Sequence, residues 1–244
     1  EINGTEDSSI QRVDWTYSVL AESIEYLSED DILQESYTIA LSEDFVNFTR
    51  EDVGQIDLNL EIIGTDDRPE IVSEALDDIN VLLREGKNDT ASGQLLISER
   101  DANDRILISV EIPQSKVRDD SESHDNGSSN IPISFKLRNT ETNELVWEYD
   151  HGSYQITNTN LVNNSESLEI FVPELFAGEY EFEWAISDLT DIYNDLQPSQ
   201  ILESSYFVKV SDGGDLINDA EIITQNISID IQANSIPVLI NPDN

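Results

Sequence analysis

Glu174-Leu175-Phe176-Ala177-Gly178-Glu179-Tyr180-Glu181-Phe182-Glu183-Trp184-Ala185-Ile186 is the most legible stretch of this chain. Side chains along an extended backbone alternate between two faces. Tyr180, Phe182, Trp184 and Ile186 therefore go to one side of a sheet, and Glu179, Glu181 and Glu183 to the other. Three carboxylates in file cannot be buried unpaired, so the pattern predicts a β-strand with one wet face. Covering three aromatics and an isoleucine, at roughly 1.5–3 kcal/mol each, gives this strand a large share of one core.

Outward from it, segments 131–137, 145–149, 154–157, 168–172 and 205–210 are further short apolar runs divided by turn residues. Strands this short and this regularly spaced, without a helical period between them, point to an antiparallel sandwich. The run from Leu175 through Gly178 and Tyr180 to Trp184 resembles the E–F corner of immunoglobulin-like and fibronectin type III domains, where a leucine, a glycine turn and a tyrosine open strand F. The resemblance covers residues 131–210 and implies an Ig-like sandwich with the Tyr180 hydroxyl tied back to the upstream backbone. It also implies strand C at Glu144-Leu145-Val146-Trp147, with Trp147 as the core tryptophan beside Trp184. It is silent on function, because such modules host adhesion, spacing and ligand binding alike.

In the N-terminal half Ile56, Leu58, Leu60 and Ile62 alternate with Asp57, Asn59 and Glu61, a clear strand. Segments 12–19, with Trp15 and Tyr17, and 34–41, with Tyr37 and Ile39, read likewise. After Gly64 the period becomes about 3.6. Asp67 as cap, Pro69 in the first turn and Glu70 open a helix at about 68–85. Ile71, Ala75, Leu76, Ile79, Leu82 and Leu83 fall on one face of it, and Gly86 stops it. Segments 94–99 and 105–112 flank the turn residues 100–104 and predict a β-hairpin. Segment 116–130 is polar and Ser-rich. The expected organisation is mainly β in two domains: a β-rich domain at 1–117 with one helix, a polar linker at 118–130 and an Ig-like sandwich at 131–211. Extra strands of open assignment follow at 212–244, where Ile227, Ile229 and Ile231 alternate again.

Composition bounds the function. The 244 residues carry 52 Asp plus Glu against 12 Lys plus Arg, a formal net charge of −40, dispersed through strands and turns rather than gathered in a tail. With 38% hydrophobic residues in periodic segments, this is not a disordered polyanion. A lysine-poor acidic surface resembles proteins adapted to very high salt, where a Debye length of roughly 3 Å at 1 M screens self-repulsion. No basic face can be assembled, which excludes nucleic acid as an expected partner. Cys is absent, so disulfides, thiolate metal sites and thiol nucleophiles are excluded. Met is absent even at position 1, and the expectation is a processed chain that has lost a signal peptide, lipid anchor or membrane helix. No apolar run approaches the roughly 20 residues of a membrane span.

Catalytic parts are sparse. The two histidines, His124 and His151, fall in polar segments that would not orient a base, and no Gly-rich phosphate loop with Lys-Ser/Thr is present. Carboxylate pairs are too numerous to single one out. No cofactor is expected apart from calcium, for which the oxygen-rich candidates are Asp101, Asn103 and Asp104, and Asp212, Asp215, Asn218 and Asp219, none at EF-hand spacing. Glycosylation acceptors of the Asn-x-Ser/Thr type occur at Asn3, Asn47, Asn88, Asn126, Asn163 and Asn226, of which Asn3, Asn88, Asn126 and Asn163 fall in expected loops.

The expected protein is a non-catalytic extracellular structural or adhesive module of a salt-adapted cell surface or appendage, with a protein partner or self-assembly. The alternatives are a virion structural protein, capsid or spike, of a virus infecting a halophile, and a carbohydrate-binding module with a glycan ligand. The latter asks for a row of exposed aromatics, whereas Trp15, Trp147 and Trp184 read as core.

Overall fold

The computed structural model describes residues 2–3, 12–41, 54–73, 75, 79–113, 115–118, 123–124, 131–150, 161–164, 167–198, 200–212 and 222–234. The expected strand at 154–157 and candidates Asn47, Asn126, His151, Asp215, Asn218 and Asp219 lie outside them. The chain divides into two compact units, Glu1–Asp66 and Asp67–Asn244.

In the first unit β1 (Ile2–Asn3) pairs with β2 (Arg12–Val13). The strand expected at 12–19 stops there, and Trp15, expected in a core, is 52% exposed. A 3-10 turn at Ala21–Ser23 precedes β3 (Ile32–Leu41) and β4 (Gly54–Ile63), which form an antiparallel ribbon in register from Ile32 opposite Ile63 to Leu41 opposite Gly54. The ribbon is anchored by Gly64, whose amide donates to Asp31 O at 2.8 Å. A Cβ there would lie 2.2 Å from Ser28 O, so only glycine fits.

The second unit contains β5 (Glu70–Val72), β6 (Asn80–Arg84), β7 (Ala91–Glu99), β8 (Arg105–Pro113), β9 (Lys116–Arg118) and β10 (Ser123–His124). There follow β11 (Ile133–Asn139), β12 (Leu145–Asp150), β13 (Leu161–Asn164), β14 (Ser167–Phe171), β15 (Leu175–Phe176), β16 (Gly178–Ile186), the short helix α1 (Thr190–Asp195), β17 (Ile201–Ser211) and β18 (Ile223–Gln232). One sheet has the order β12-β11-β16-β7-β5. The other runs β6-β18-β17-β8-β14-β13, with β9 beside β17, β10 beside β9 and β15 beside β8. Every pairing is antiparallel except β6 with β18.

The mainly β class expected from the sequence therefore holds, and the alternation in β16 is the reason. Tyr180, Phe182, Trp184 and Ile186 are all buried, while Glu179 is exposed and Glu181 and Glu183 are half-exposed. Phe135 and Leu137 of β11 stand opposite Trp184 and Phe182. From the other sheet come Ile108 and Val110 of β8, Tyr206, Val208 and Val210 of β17, and Ile227, Ile229 and Ile231 of β18, all in one continuous core. Phe135 meets Tyr206 edge-on across the two sheets, ring centroids 5.8 Å apart.

Three expectations are corrected. Residues 70–72 and 80–84 are strands, not parts of a helix at 68–85. β5 pairs with β7, and β6 with β18 nearly 150 residues away. These distant ladders bury Leu83 completely and override a local pattern that fits either period. Asp67 does not cap a helix either: its own amide donates to Asp101 Oδ2 at 2.8 Å. Next, β7 and β8 are not a hairpin, for each belongs to a different sheet and 100–104 carries the chain across the core. Finally, strands before and after 118–130 share both sheets, so the compact unit starts at Asp67 and no division falls in that polar segment. The open assignment of 212–244 resolves for β18, which is an interior strand between β17 and β6.

Compared with the Ig strand order, in which sheet ABED faces sheet CFG, β17-β8-β14-β13 occupies the first and β11-β16-β7 the second. The strand preceding β8 in the chain thus takes the G place, and the strand following β16 takes the A place. Strand C is β11, not the segment around Trp147. Trp147 lies on the edge strand β12, half-buried and stacked on Tyr149 at 6.3 Å and 8°.

Candidate functional site

The β3–β4 ribbon has two unlike sides. Directly opposed residues of an antiparallel pair share a face. One face carries Gln34 with Glu61, Ser36 with Asn59, and Thr38 with Asp57, all hydrogen-bonded across the strands at 3.0, 2.7 and 2.7 Å. The other carries Leu33 with Ile62, Glu35 with Leu60, Tyr37 with Leu58, and Ile39 with Ile56. Tyr37 and Ile56 are exposed and the rest of this apolar face is only half-buried. Its one carboxylate, Glu35, accepts hydrogen bonds from the hydroxyls of both Tyr17 and Tyr37. The Glu35 hydrogen bond, with burial adding, holds the Tyr37 phenol above its ordinary pKa. Neither β3 nor β4 has a second strand partner among the described residues. A two-stranded ribbon cannot bury its own apolar face.

In the second unit the calcium candidates of the 100–104 segment form an acidic corner. Asp101 is fully buried and its carboxylate is committed to the Asp67 amide. Asp104 is half-buried and Asn103 exposed. Sequence reasoning missed Glu99, which is 3% exposed, although Leu95, Ile97 and Glu99 share one face of β7 and that period was the available signal. Glu99 Oε1 accepts the Asp101 amide at 3.0 Å, while Oε2 has no hydrogen-bond partner. Burial, reinforced by the Asp101 and Asp104 carboxylates and opposed by the Asp101 and Arg100 amides, pushes Glu99 up to about 7. Asp212 is half-buried, well separated in sequence from this corner.

Beside the corner, the Asp104 carbonyl accepts the Ala177 amide at 3.1 Å, and Tyr180 Oη donates to Phe176 O at 2.9 Å. Arg105 lies 3.7 Å over the Phe176 ring. Gly178, at φ 148, makes the turn that β-carbon-bearing residues rarely adopt.

A groove of about 350 Å³ opens on the outer face of β7, β16 and β11. The small cross-strand row Ser92, Ala185 and Ser134 floors it, and Gln94, Glu183 and Lys136 form the neighbouring row. Trp184 borders it but is 1% exposed, so the groove offers no aromatic platform for a sugar ring.

Of the acceptor asparagines, Asn3 and Asn163 lie in strands β1 and β13 rather than in the expected loops. Asn88 is in an exposed turn, its Nδ2 donating to Leu82 O at 2.9 Å, and Asn226 is exposed within β18. His124 is in β10. No helix among the described residues is long and apolar enough to cross a membrane.

The fold defines the second unit as an antiparallel β-sandwich. No protein-family model matches the chain, and no curated protein matches it. Among solved structures it is similar to the CooA pilin subunit from enterotoxigenic Escherichia coli, at 9% identity over 69% of this chain and 99% of that one, with a TM-score of 0.34. It is also similar to CfaE, the adhesive subunit of CFA/I fimbria of enterotoxigenic Escherichia coli (12% identity, 84% and 59% coverage, TM-score 0.37). A third is a family 123 glycoside hydrolase from Clostridium perfringens (14% identity, 69% and 27% coverage, TM-score 0.30). At these scores the likenesses decide neither topology nor activity.

Proposed function

We propose that this chain is a non-catalytic structural or adhesive module of a salt-adapted cell surface or appendage. The observation that carries the reading is the β3–β4 ribbon, whose apolar face is no more than half-buried and neither strand of which has a further strand partner among the described residues. Natural proteins blunt such edges unless they are to be covered by a partner. Two further features support it. The sandwich interior is filled by side chains of both sheets, and the acidic residues of β16 and β11's neighbours face outward, as a shell kept soluble in brine requires. The groove on the outer sheet lacks exposed aromatic rings, which disfavours the carbohydrate-binding alternative.

The test is antibody labelling of intact, unpermeabilised source cells, together with deletion of the gene. Surface label and loss of cell cohesion or attachment on deletion are expected. Label that appears only after permeabilisation refutes the reading. The salt component is tested by melting the purified chain in dilute and in molar KCl, where a higher melting temperature in molar salt is expected.

A further inference from the structure

We propose that the end of β7 and the crossing that follows it bind one calcium ion through the carboxylates of Glu99, Asp101 and Asp104. β7 ends at Glu99 in one sheet and β8 opens at Arg105 in the other. Between them the Asp104 amide donates to Asp101 O at 3.0 Å, and carboxylate oxygens of Asp101 and Asp104 lie within 4.8 Å of each other. That is no more than twice a calcium–oxygen distance of about 2.4 Å, so a single ion reaches both.

Two acids in one turn of so acidic a chain would mean little alone. Glu99 is the residue that points to a ligand. Leu95 and Ile97 precede it on the same face of β7 and belong to the core, so an apolar side chain at 99 would simply continue that core. The position instead holds a carboxyl that is 3% exposed. Its Oε1 accepts the Asp101 amide at 3.0 Å, which holds the group against the turn, and its buried Oε2 has no hydrogen-bond partner. A carboxyl oxygen shut away in this manner is costly, and beside two further carboxylates the partner that relieves it is a cation. In calcium-free buffer a proton takes that part, and burial accordingly pushes Glu99 up to about 7.

The donors choose the ion. All three are carboxylates, without sulfur or imidazole, which selects a hard cation. They come from a strand end and an irregular turn, which suits the flexible shell of about six to eight oxygens around calcium better than the strict octahedron of magnesium, with water completing it. Asp101 Oδ2 also accepts the Asp67 amide, and the Asp104 carbonyl accepts the Ala177 amide. The ion would therefore brace the segments on either side of the crossing and stabilise this end of the sandwich.

Calorimetric titration of the full chain with calcium chloride tests it, at about pH 8 and about 2 M KCl to screen diffuse binding to the acidic shell. One site is expected, with a dissociation constant of about 0.1–1 mM, the range of extracellular calcium modules. Relative to chelator, about 10 mM calcium is expected to raise the melting temperature by about 5 °C, and the same concentration of magnesium by much less. Glu99→Gln and Asp104→Asn are each expected to weaken binding about tenfold or more and to lose most of the calcium shift. Glu141→Gln, the same charge change in the exposed turn after β11, keeps both. Near-UV circular dichroism shows whether each variant is folded. Asp104 is only half-buried, so Asp104→Asn decides the matter if Glu99→Gln does not fold. A melting temperature indifferent to calcium, or binding by Glu99→Gln and Asp104→Asn equal to that of Glu141→Gln, overturns the proposal. So do equal shifts with magnesium and calcium, in favour of general screening by divalent ions.

Discussion

Tyr180 Oη donates a hydrogen bond of 2.9 Å to Phe176 O, four residues upstream, and so locks the entry into the central strand β16. The ring is buried, with burial holding the phenol above its ordinary pKa. The Arg105 guanidinium lies over one face of the Phe176 ring, which is otherwise exposed. Tyr180→Phe removes the bond and keeps the ring, so it is expected to cost about 1 kcal/mol. In a unit of this size that is a fall of about 2–4 °C in melting temperature. An unchanged melting curve would show that water replaces the hydroxyl without loss.

Glu99 makes stability depend on pH. Its pKa rises from 4.5 to about 7 on folding. The folded state therefore binds the proton more tightly, and the contribution is fully present below about pH 4.5 and lost as pH climbs through 7. For this nearly inaccessible carboxyl the loss is up to about 3 kcal/mol. Glu99→Gln keeps an acceptor for the Asp101 amide and cannot ionise. Denaturant unfolding at pH 5 and pH 8 is expected to show a larger drop for the wild type than for Glu99→Gln. Equal drops would place the ionisable strain elsewhere among the carboxylates.

How far the sequence could be read follows from where each signal resides. The alternation at Tyr180 to Ile186 is local, complete and unambiguous in period, and β16 forms as expected. The apolar spacing around Ile79, Leu82 and Leu83 fits a helix as well as a strand, and what decides it is β18, whose Ser228 to Gln232 sit beside Asn80 to Arg84. No local pattern carries that. The turn at 100–104 was legible as a turn, but whether two strands pair across it depends on which sheet each joins. The alternation at Ile56 to Ile62 gave the ribbon strand. That its apolar side stays half-covered is a property of what packs on it, and this is why the candidate interaction face emerged only from the structure.

On the outer face of the second sheet, Lys209 Nζ lies 2.7 Å from Glu111 Oε2 and 3.3 Å from Glu169 Oε1. Glu111 and Glu169 stand directly opposite each other on β8 and β14, and Ser109 Oγ donates to Glu169 at 2.9 Å. Burial pulls the lysine pKa down, but the two carboxylates more than offset it and the net shift is upward. Lys209→Met leaves two like charges in apposition on a mostly covered patch. A loss of about 1–2 kcal/mol is expected in dilute buffer, shrinking in molar salt. A loss independent of salt would mean that the methylene packing, not the charge, is what Lys209 supplies.

Gly64 sets the sharpest test of the first unit. Its amide donates to Asp31 O, and an added Cβ would meet Ser28 O at 2.2 Å and Leu27 O at 2.6 Å, backbone atoms that cannot swing aside. Leu27 and Ser28 are the buried residues of this unit among those described. Gly64→Ala must therefore push the ribbon end away from the 27–31 turn, at a cost of about 2 kcal/mol or more. The sandwich has its own core, so its tryptophan Trp184 provides a separate reporter. Hydrogen exchange is expected to show faster amide exchange across β3 and β4 in Gly64→Ala, with β16 and β17 unaltered. Uniform acceleration in all four strands would mean that the two units unfold together, and no acceleration would mean that the turn yields without cost.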